Sequence, residues 1–343
     1  MRPSRSVLQA SKKLTPNSGS APSVAKSVDY CTQLVRASDK DNLWPVYFYP
    51  QHSRPAYLAL RAFNVELATI DDNVSNPMVG RMRYQWWRDS IKQVFDRSQL
   101  SPYHFTRLIN SREQHFLNPS FNNLQDLAEY SAGTQASLLY LLLQATTKTQ
   151  RSATSQPNMA SPLSDGTGKD LPHSKLFEHV GNEHDGSNET NPARGLRDPD
   201  DLTLDHAASH LAVAITISIL LRSIPYHARK RINVIPAVIA ARHNMREEAL
   251  FRQGPNAEGL RECVATMVGI AQAEMRTARG CFEGTTGVPK RASPVFLSAT
   301  PARSYLDRLS SSAVEFDVFN PSLFKQYWRL PFQVWGDSRN RRF

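Results

Sequence analysis

The stretch SRPAYLALRAFNVELATIDD, which runs from Ser53 to Asp72, decides the fold class. Its apolar residues do not alternate with polar ones as they would in a half-buried strand, and their order suits a helix. The large apolar residues in it are Leu58, Phe63, Val65, Leu67 and Ile70. The pair Asn76-Pro77 breaks the pattern. The sequence therefore predicts a helix over residues 51–72 that ends in two adjacent carboxylates.

The rest of the chain shows helical spacing as well. The predicted helices cover residues 51–72, 78–95, 124–145, 206–221 and 257–282. The helix predicted at residues 206–221 is expected to end near Pro225, because proline does not continue a helix. Residues 138–143 and 211–221 are apolar on every side, so both should lie inside a core. With no alternating strand pattern of useful length, the prediction is an all-α fold.

The net charge of +10 is unevenly distributed. Residues 1–28 carry five basic residues and no acid, are rich in serine, and lack a long apolar core. This composition predicts a mitochondrial transit peptide, with an ordinary disordered tail as the alternative. The remaining mild positive charge suits an anionic lipid surface or an acidic partner and is too small to indicate nucleic acid.

The composition also changes abruptly inside the chain. Residues 146–201 are rich in Ser, Asn, Gly, Pro and Asp, and poor in large apolar side chains. Such a segment buries too little surface to offset its ordering entropy, so we expect a disordered insertion. One domain would then be formed by residues 29–145 and 202–337, followed by a tail at 338–343. The cysteines and histidines show no metal-ligand spacing, so no metal and no cofactor is predicted.

Three segments resemble the squalene/phytoene synthase family. Residues 53–72 resemble its first conserved helix, 124–144 its middle helix, and 205–236 the region of its second acidic motif. The resemblance covers residues from about 30 to 335 and skips the insertion. It implies an isoprenoid-synthase-like helical bundle interrupted by a disordered insertion. The stretch at 96–103 is shorter than the family pattern.

Working members of that family bind Mg²⁺ and prenyl diphosphates through two D-x-x-x-D motifs. The i, i+4 spacing puts both carboxylates of a motif on one helix face, and Mg²⁺ prefers such oxygen ligands. Here the first motif corresponds to residues 68–72, where Ala68 replaces one acid and Asp72 remains. Asp71 is one residue out of phase. The second motif corresponds to Ser223 and His227, so both of its acids are replaced. The resemblance therefore implies a protein without catalytic residues.

The residues around these motifs are expected to line a vestigial pocket. They are Arg61, Ala68, Asp71, Asp72, Arg222, Ser223 and His227. An alternative for Arg61 and Asp72 is a buried ion pair inside the bundle. An alternative for His227 is a packed histidine at a helix end. The basic run at 229–231 is either a solvated face or a contact for anionic lipid headgroups.

Several short segments resemble one mitochondrial branch of the family more closely, such as ALRAFNVELA at residues 59–68 and DHAASH at residues 205–210. Members of that branch are thought to assist the assembly of respiratory complex I without catalysing prenyl transfer. This resemblance implies a matrix-side protein, peripheral to the inner membrane, whose partners are complex I subunits or assembly intermediates and not nucleic acid. Two alternatives remain: an active prenyl transferase that condenses prenyl diphosphates, and a lipid-binding module with a lipid in the remaining cavity.

Overall fold

The computed structural model describes residues 24–95, 100–154, 200–325 and 327–343. These residues form fourteen α-helices and no β-strand. The helices are α1 (Val24–Ser38), α2 (Arg54–Ala68), α3 (Ile70–Asn73), α4 (Pro77–Phe95), α5 (Pro102–Leu117), α6 (Leu124–Ser131), α7 (Ser137–Thr154), α8 (Asp201–Arg229), α9 (Ala237–Arg242), α10 (Glu247–Gln253), α11 (Leu260–Gly280), α12 (Ser293–Phe296), α13 (Ala299–Leu309) and α14 (Leu330–Asn340). The predicted all-α fold is confirmed.

Shorter helical segments connect these elements. Three 3₁₀ segments, Lys40–Phe48, Gln51–Ser53 and Pro321–Phe324, lead into or follow longer helices, and Gly254–Asn256 is a fourth. A π-helical segment, Ala132–Ala136, joins α6 to α7. The predicted helix over 124–145 is therefore interrupted, and the one predicted over 51–72 is divided between the second 3₁₀ segment, α2 and α3.

Helix α8 lies at the centre of the core. It packs along α11 on one side and against the π-helical segment, α13 and α7 on others. Leu211, Ile217 and Leu221 of α8 are fully buried, as are Leu138 and Leu142 of α7. The prediction that both all-round apolar segments are buried is confirmed, and the two halves of the sequence share one hydrophobic cluster.

The predicted end of α8 was wrong, because the helix continues through Pro225 to Arg229. Proline removes one backbone donor from the last turns of the helix. The turn persists because Ile224 and Ala228, on either side of the proline, are both buried in the core. The helix ends at Arg229. Two residues later the backbone turns away, since Arg231 adopts a positive φ of 58°.

Among the described residues, α8 is also long and apolar enough to cross a membrane by length and composition alone. Most of its apolar window, 67%, is buried inside the protein. The central helix of a globular core passes the same test, and the packing of α8 against its neighbours agrees with that role.

The N-terminal half extends further than the domain boundary at 145, because α7 reaches Thr154. The first part of the predicted insertion at 146–201 is thus helical. Residues 155–199 lie outside the described residues, as do residues 1–23 of the predicted transit peptide and residues 96–99 of the shortened stretch.

Candidate functional site

The two predicted motif regions meet at the ends of α3 and α8. The Lys230 ammonium, just after α8, lies 2.9 Å from Asp71 Oδ2 and 2.7 Å from Asp72 Oδ1. The Tyr226 hydroxyl, one helical turn before Lys230, donates to Asp72 Oδ1. Adjacent residues point about 100° apart around a helix axis, yet here both carboxylates converge on a single cation.

Lys230 neutralises this pair of acids. Partial burial favours the uncharged amine, but the hydrogen bonds to Asp72, Asp71 and Tyr226 outweigh it and raise the pKa of Lys230. Burial and the hydrogen bond to Asp72 raise the pKa of Tyr226. Because the carboxylates already hold a fixed ammonium, a divalent cation at this place would have to displace Lys230.

His227 faces this cluster from the inner side of α8. Burial and nearby Lys230 lower the pKa of His227, and the carboxylates of Asp72 and Asp71 only partly offset them. Its Nδ1 atom is buried, and no atom in the described part of the chain forms a hydrogen bond with it. Burial, followed by Arg112 and His227, also lowers the pKa of His115 on α5 to about 4. Both imidazoles are therefore neutral near pH 7.

The two remaining motif positions, Ser223 and Ala68, provide no free polar group for a ligand. The Ser223 hydroxyl donates 2.8 Å to the carbonyl of Leu220 in its own helix. Ala68 is exposed near the end of α2 and has no polar group in its side chain.

Arg222 belongs to a second site, on another side of α8. Its Nη1 atom lies 2.9 Å from Asp41 Oδ2 in the first 3₁₀ segment. Together they line a pocket of about 260 Å³ between α1, α8, α13 and the chain before α14. The charged and hydroxyl side chains in its lining are Ser38, Asp39, Lys40, Asp41, Arg222, Ser304, Tyr305, Arg308, Lys325 and Tyr327. We call it the basic pocket, since four cations outnumber two acids.

The two acids of the basic pocket already have partners. Asp41 pairs with Arg222, and Asp39 lies 3.5 Å from the buried Arg61. The Tyr305 hydroxyl is buried and has no hydrogen-bond partner among the residues that the structure describes, and burial raises the pKa of Tyr305. The pocket thus combines an excess of positive charge with an unsatisfied hydroxyl, which suits an anionic ligand.

Arg61 does not line the basic pocket. It is 2% exposed and lies behind the wall that Asp39 forms. Its guanidinium donates to Asn42 Oδ1 at 3.1 Å and to Ser298 Oγ at 2.9 Å. A buried ion pair does exist, as the alternative held, but the partner of Arg61 is Asp39 and not Asp72.

The predicted residues therefore fall into separate groups. Asp71, Asp72 and His227 lie together, whereas Arg222 faces the basic pocket and Arg61 is buried. Sequence reasoning named Lys230 only as part of the basic run at 229–231, and it missed Tyr226 and most of the lining of the basic pocket. Lys230 follows Tyr226 at helical spacing of four, a signal that could have placed these two side chains on one face. No comparable spacing connects Lys40 to Arg308 and Lys325.

No three or more His, Cys, Asp and Glu side chains in the described ranges could together hold a metal ion. The Mg²⁺ that the family implies would need several converging oxygen ligands. Asp72 occupies a motif position and Asp71 lies beside it, and both carboxylates bind Lys230. The residues present do not fit a Mg²⁺–diphosphate cluster.

Comparison with known proteins identifies the family. A model of squalene/phytoene synthases matches residues 35–335. The chain belongs to the squalene/phytoene synthase family. Solved structures agree on the fold: a dehydrosqualene synthase in complex with ligand has a TM-score of 0.62 at 12% identity, covering 92% of this chain and 96% of that one. A squalene synthase from Alicyclobacillus acidocaldarius has a TM-score of 0.58 at 14% identity, covering 84% and 95%.

Curated relatives of this family member share one name. The Bos taurus protein called NADH dehydrogenase (ubiquinone) complex I, assembly factor 6, is 26% identical, covering 100% of this chain and 93% of its own length. A Drosophila melanogaster homologue of that factor is 28% identical, covering 92% and 84%. A Dictyostelium discoideum homologue is 24% identical, covering 93% and 80%.

Proposed function

We propose that this chain assists the assembly of mitochondrial complex I and catalyses no prenyl transfer. The observation that carries the proposal is the end-to-end similarity to relatives named as complex I assembly factor 6 in cow, fruit fly and Dictyostelium. The partners would be complex I subunits or assembly intermediates.

Deletion of the gene tests this role. We expect the amount of assembled complex I on native gels to fall while complexes II to V keep their levels, and the intact gene to restore it. Normal complex I in the deletion strain would contradict the proposal. A uniform loss of all respiratory complexes would also count against it, because it would indicate a general mitochondrial defect.

The absence of catalysis rests on the acidic cluster. A Mg²⁺–diphosphate cluster needs carboxylates that are free to bind metal, whereas Asp71 and Asp72 both hold the Lys230 ammonium. Calorimetry with Mg²⁺ and inorganic diphosphate should therefore give no saturable signal that depends on Asp72. A variant with Ala68→Asp, Ser223→Asp, His227→Asp and Lys230→Gln should gain one. A saturable signal from the unmodified chain that Asp72→Ala abolishes would contradict us, as would a head-to-head product from farnesyl diphosphate.

We also propose that the chain resides in the mitochondrion, on the matrix side of the inner membrane and peripheral to it. The acid-free residues 1–28 would direct import as a transit peptide. Import into isolated mitochondria followed by alkaline extraction tests both points. A protein that stays outside, or that remains in the membrane after extraction, would contradict this localisation.

A second candidate function is the binding of a phosphorylated lipid without chemistry, and the basic pocket favours it. Lys40, Arg308 and Lys325 line this pocket together with Tyr305, whose hydroxyl has no hydrogen-bond partner among the described residues. The volume of about 260 Å³ suits a phosphate headgroup and is small for two prenyl chains. Thermal shift with inorganic diphosphate in the absence of Mg²⁺ should stabilise the chain, and Arg308→Gln with Lys325→Gln should remove the effect. The exposed Arg229→Gln is the matched control.

A further inference from the structure

Helix α14 presents a row of exposed aromatic side chains. Trp328, Phe332 and Trp335 are 67%, 66% and 55% exposed. Their spacing of four and three residues puts them on one side of the helix and the turn before it. Large aromatic residues are normally buried at least in part, so three of them side by side on an outer face indicate a surface that is covered in use.

The opposite side of α14 fixes this face rigidly to the protein. Leu330 and Val334 are buried in a small cluster with Leu297. Asp337 accepts hydrogen bonds from Thr300 Oγ1 at 2.7 Å and from Arg303 Nη2 at 2.8 Å. After the helix, the Phe343 ring packs against Phe282 and Phe296 in the main core. The aromatic row is thus held outward by its inner contacts.

The exposed charges that residues 321–343 contribute around the row are of one sign. Exposed basic residues near it are Lys325, Arg329, Arg339, Arg341 and Arg342. The guanidinium groups of Arg329 and Arg339 lie 5.1 Å and 5.7 Å from the ring centroids of Trp328 and Trp335. The one acid in residues 321–343 is Asp337, whose carboxylate faces inward. Tryptophan with arginine is the combination found where proteins meet anionic lipid headgroups.

Two other surfaces compete for this role and fit it less well. In the basic run at 229–231, Lys230 is held by Asp71 and Asp72, and Arg231 by Glu248 at 2.7 Å. Helix α4 exposes a second apolar row, Met78, Val79, Met82 and Trp86. Two of the cations beside that row, Arg81 and Arg88, lie against the same acid, Glu113.

We propose that the aromatic face of α14 is the surface by which this chain binds an anionic lipid bilayer. The inference rests on the peripheral membrane localisation proposed above and deepens it. The rings of Trp328, Phe332 and Trp335 enter the headgroup region, and the arginines beside them bind lipid phosphates. Phe324 and Lys325, just before α14, also line the basic pocket, so the pocket opens beside the bilayer surface.

Vesicle flotation of the full chain tests the proposal. The probe is phosphatidylcholine vesicles with and without phosphatidylglycerol. We expect binding to the anionic vesicles that weakens as salt rises, because surface electrostatics are screened. The triple variant Trp328→Ser, Phe332→Ser and Trp335→Ser should bind about tenfold more weakly or worse, since three large apolar side chains no longer leave water. Arg329→Glu with Arg339→Glu should weaken binding to anionic vesicles alone.

A matched variant on α4, Met78→Ser with Met82→Ser and Trp86→Ser, also removes three exposed large apolar side chains and should bind vesicles like the original chain. Unchanged thermal unfolding of both variants shows that they fold. The proposal is overturned if the original chain does not float, if the α14 variant floats equally well, or if the α4 variant alone loses binding. It is also overturned if the original chain is a dimer and the α14 variant alone is a monomer, since a second copy of the chain then covers the aromatic face. Each of these leaves the complex I proposal standing, which gene deletion tests separately.

Discussion

Arg61 shows how a single buried charge organises its surroundings. Its guanidinium pairs with Asp39 and donates to Asn42 and Ser298, and it lies 5.6 Å from the Tyr57 ring centroid. It therefore ties α2 to the first 3₁₀ segment and to the start of α13. Burial raises the pKa of the Tyr57 hydroxyl to about 12, which keeps that hydroxyl a donor to the Asn42 carbonyl.

Removal of this charge should be costly. Arg61→Met leaves the Asp39 carboxylate without its cation, and breaking a buried pair from one side costs about 3–5 kcal/mol. Urea unfolding followed by circular dichroism measures the loss, and Arg229→Met on the surface should change stability little. Asp39→Asn in the Arg61→Met background should recover part of the loss. Equal stability of Arg61→Met and the original chain would show that the pair contributes nothing.

His115 gives a prediction for pH. Its pKa in the folded protein is about 4, against about 6.5 in an unfolded chain. Between these values the unfolded chain binds the extra proton, so the contribution of His115 is complete above about pH 6.5 and is lost as the pH falls towards 4. His227, with its lowered pKa, acts in the same direction. His115→Gln should make the fall in the urea midpoint between pH 7 and 4.5 shallower. A parallel pH profile in the variant would contradict the assignment.

At the scale of elements, helical spacing predicted the existence of helices better than their ends. The centre of α8 was evident because residues 211–221 are apolar on every side. Its C-terminal end was not, because the burial of Ile224 and Ala228 overrides the proline between them. The π-helical segment at Ala132–Ala136 was missed for a similar reason. It depends on the close approach of α5, which is a tertiary contact.

Gly133 marks that close approach. A Cβ atom at this position would lie 2.6 Å from the Cβ atom of Ser111 on α5, so Gly133→Ala should overpack the contact and cost about 1–3 kcal/mol. Ser111→Gly in the same chain should relieve most of the loss in a double-mutant cycle. Gly269→Ala on α11 is the matched control, since nothing lies within 4 Å of its Cβ, and it should stabilise by about 0.5–1 kcal/mol. Independent, additive effects of Gly133→Ala and Ser111→Gly would rule out the contact.

For the whole molecule, the sequence was informative about the fold and much less so about the site. The fold followed from helical spacing and from segments that resemble a family, and the family match over residues 35–335 agrees with it. The basic pocket could not be predicted, because Lys40, Arg222, Arg308 and Lys325 come from four separate parts of the chain. Each of them is an ordinary surface cation until the fold brings them together.

The last prediction concerns the segment between the two halves. The cluster that holds the molecule together draws on α7 and α8 themselves, on either side of residues 155–199. Those 45 residues are poor in large apolar side chains and are expected to add little to the core. We would replace them by a Gly/Ser linker of about 20 residues. Such a linker spans about 25 Å on average, and it shortens the loop roughly twofold. Loop-closure entropy then favours the folded state by about 0.6 kcal/mol.

The urea midpoint should therefore stay the same or rise slightly, and a brief protease digest of the original chain should cut first inside the segment. A large drop in the midpoint, together with resistance of the segment to protease, would mean that it packs on the core and that its composition misled the prediction.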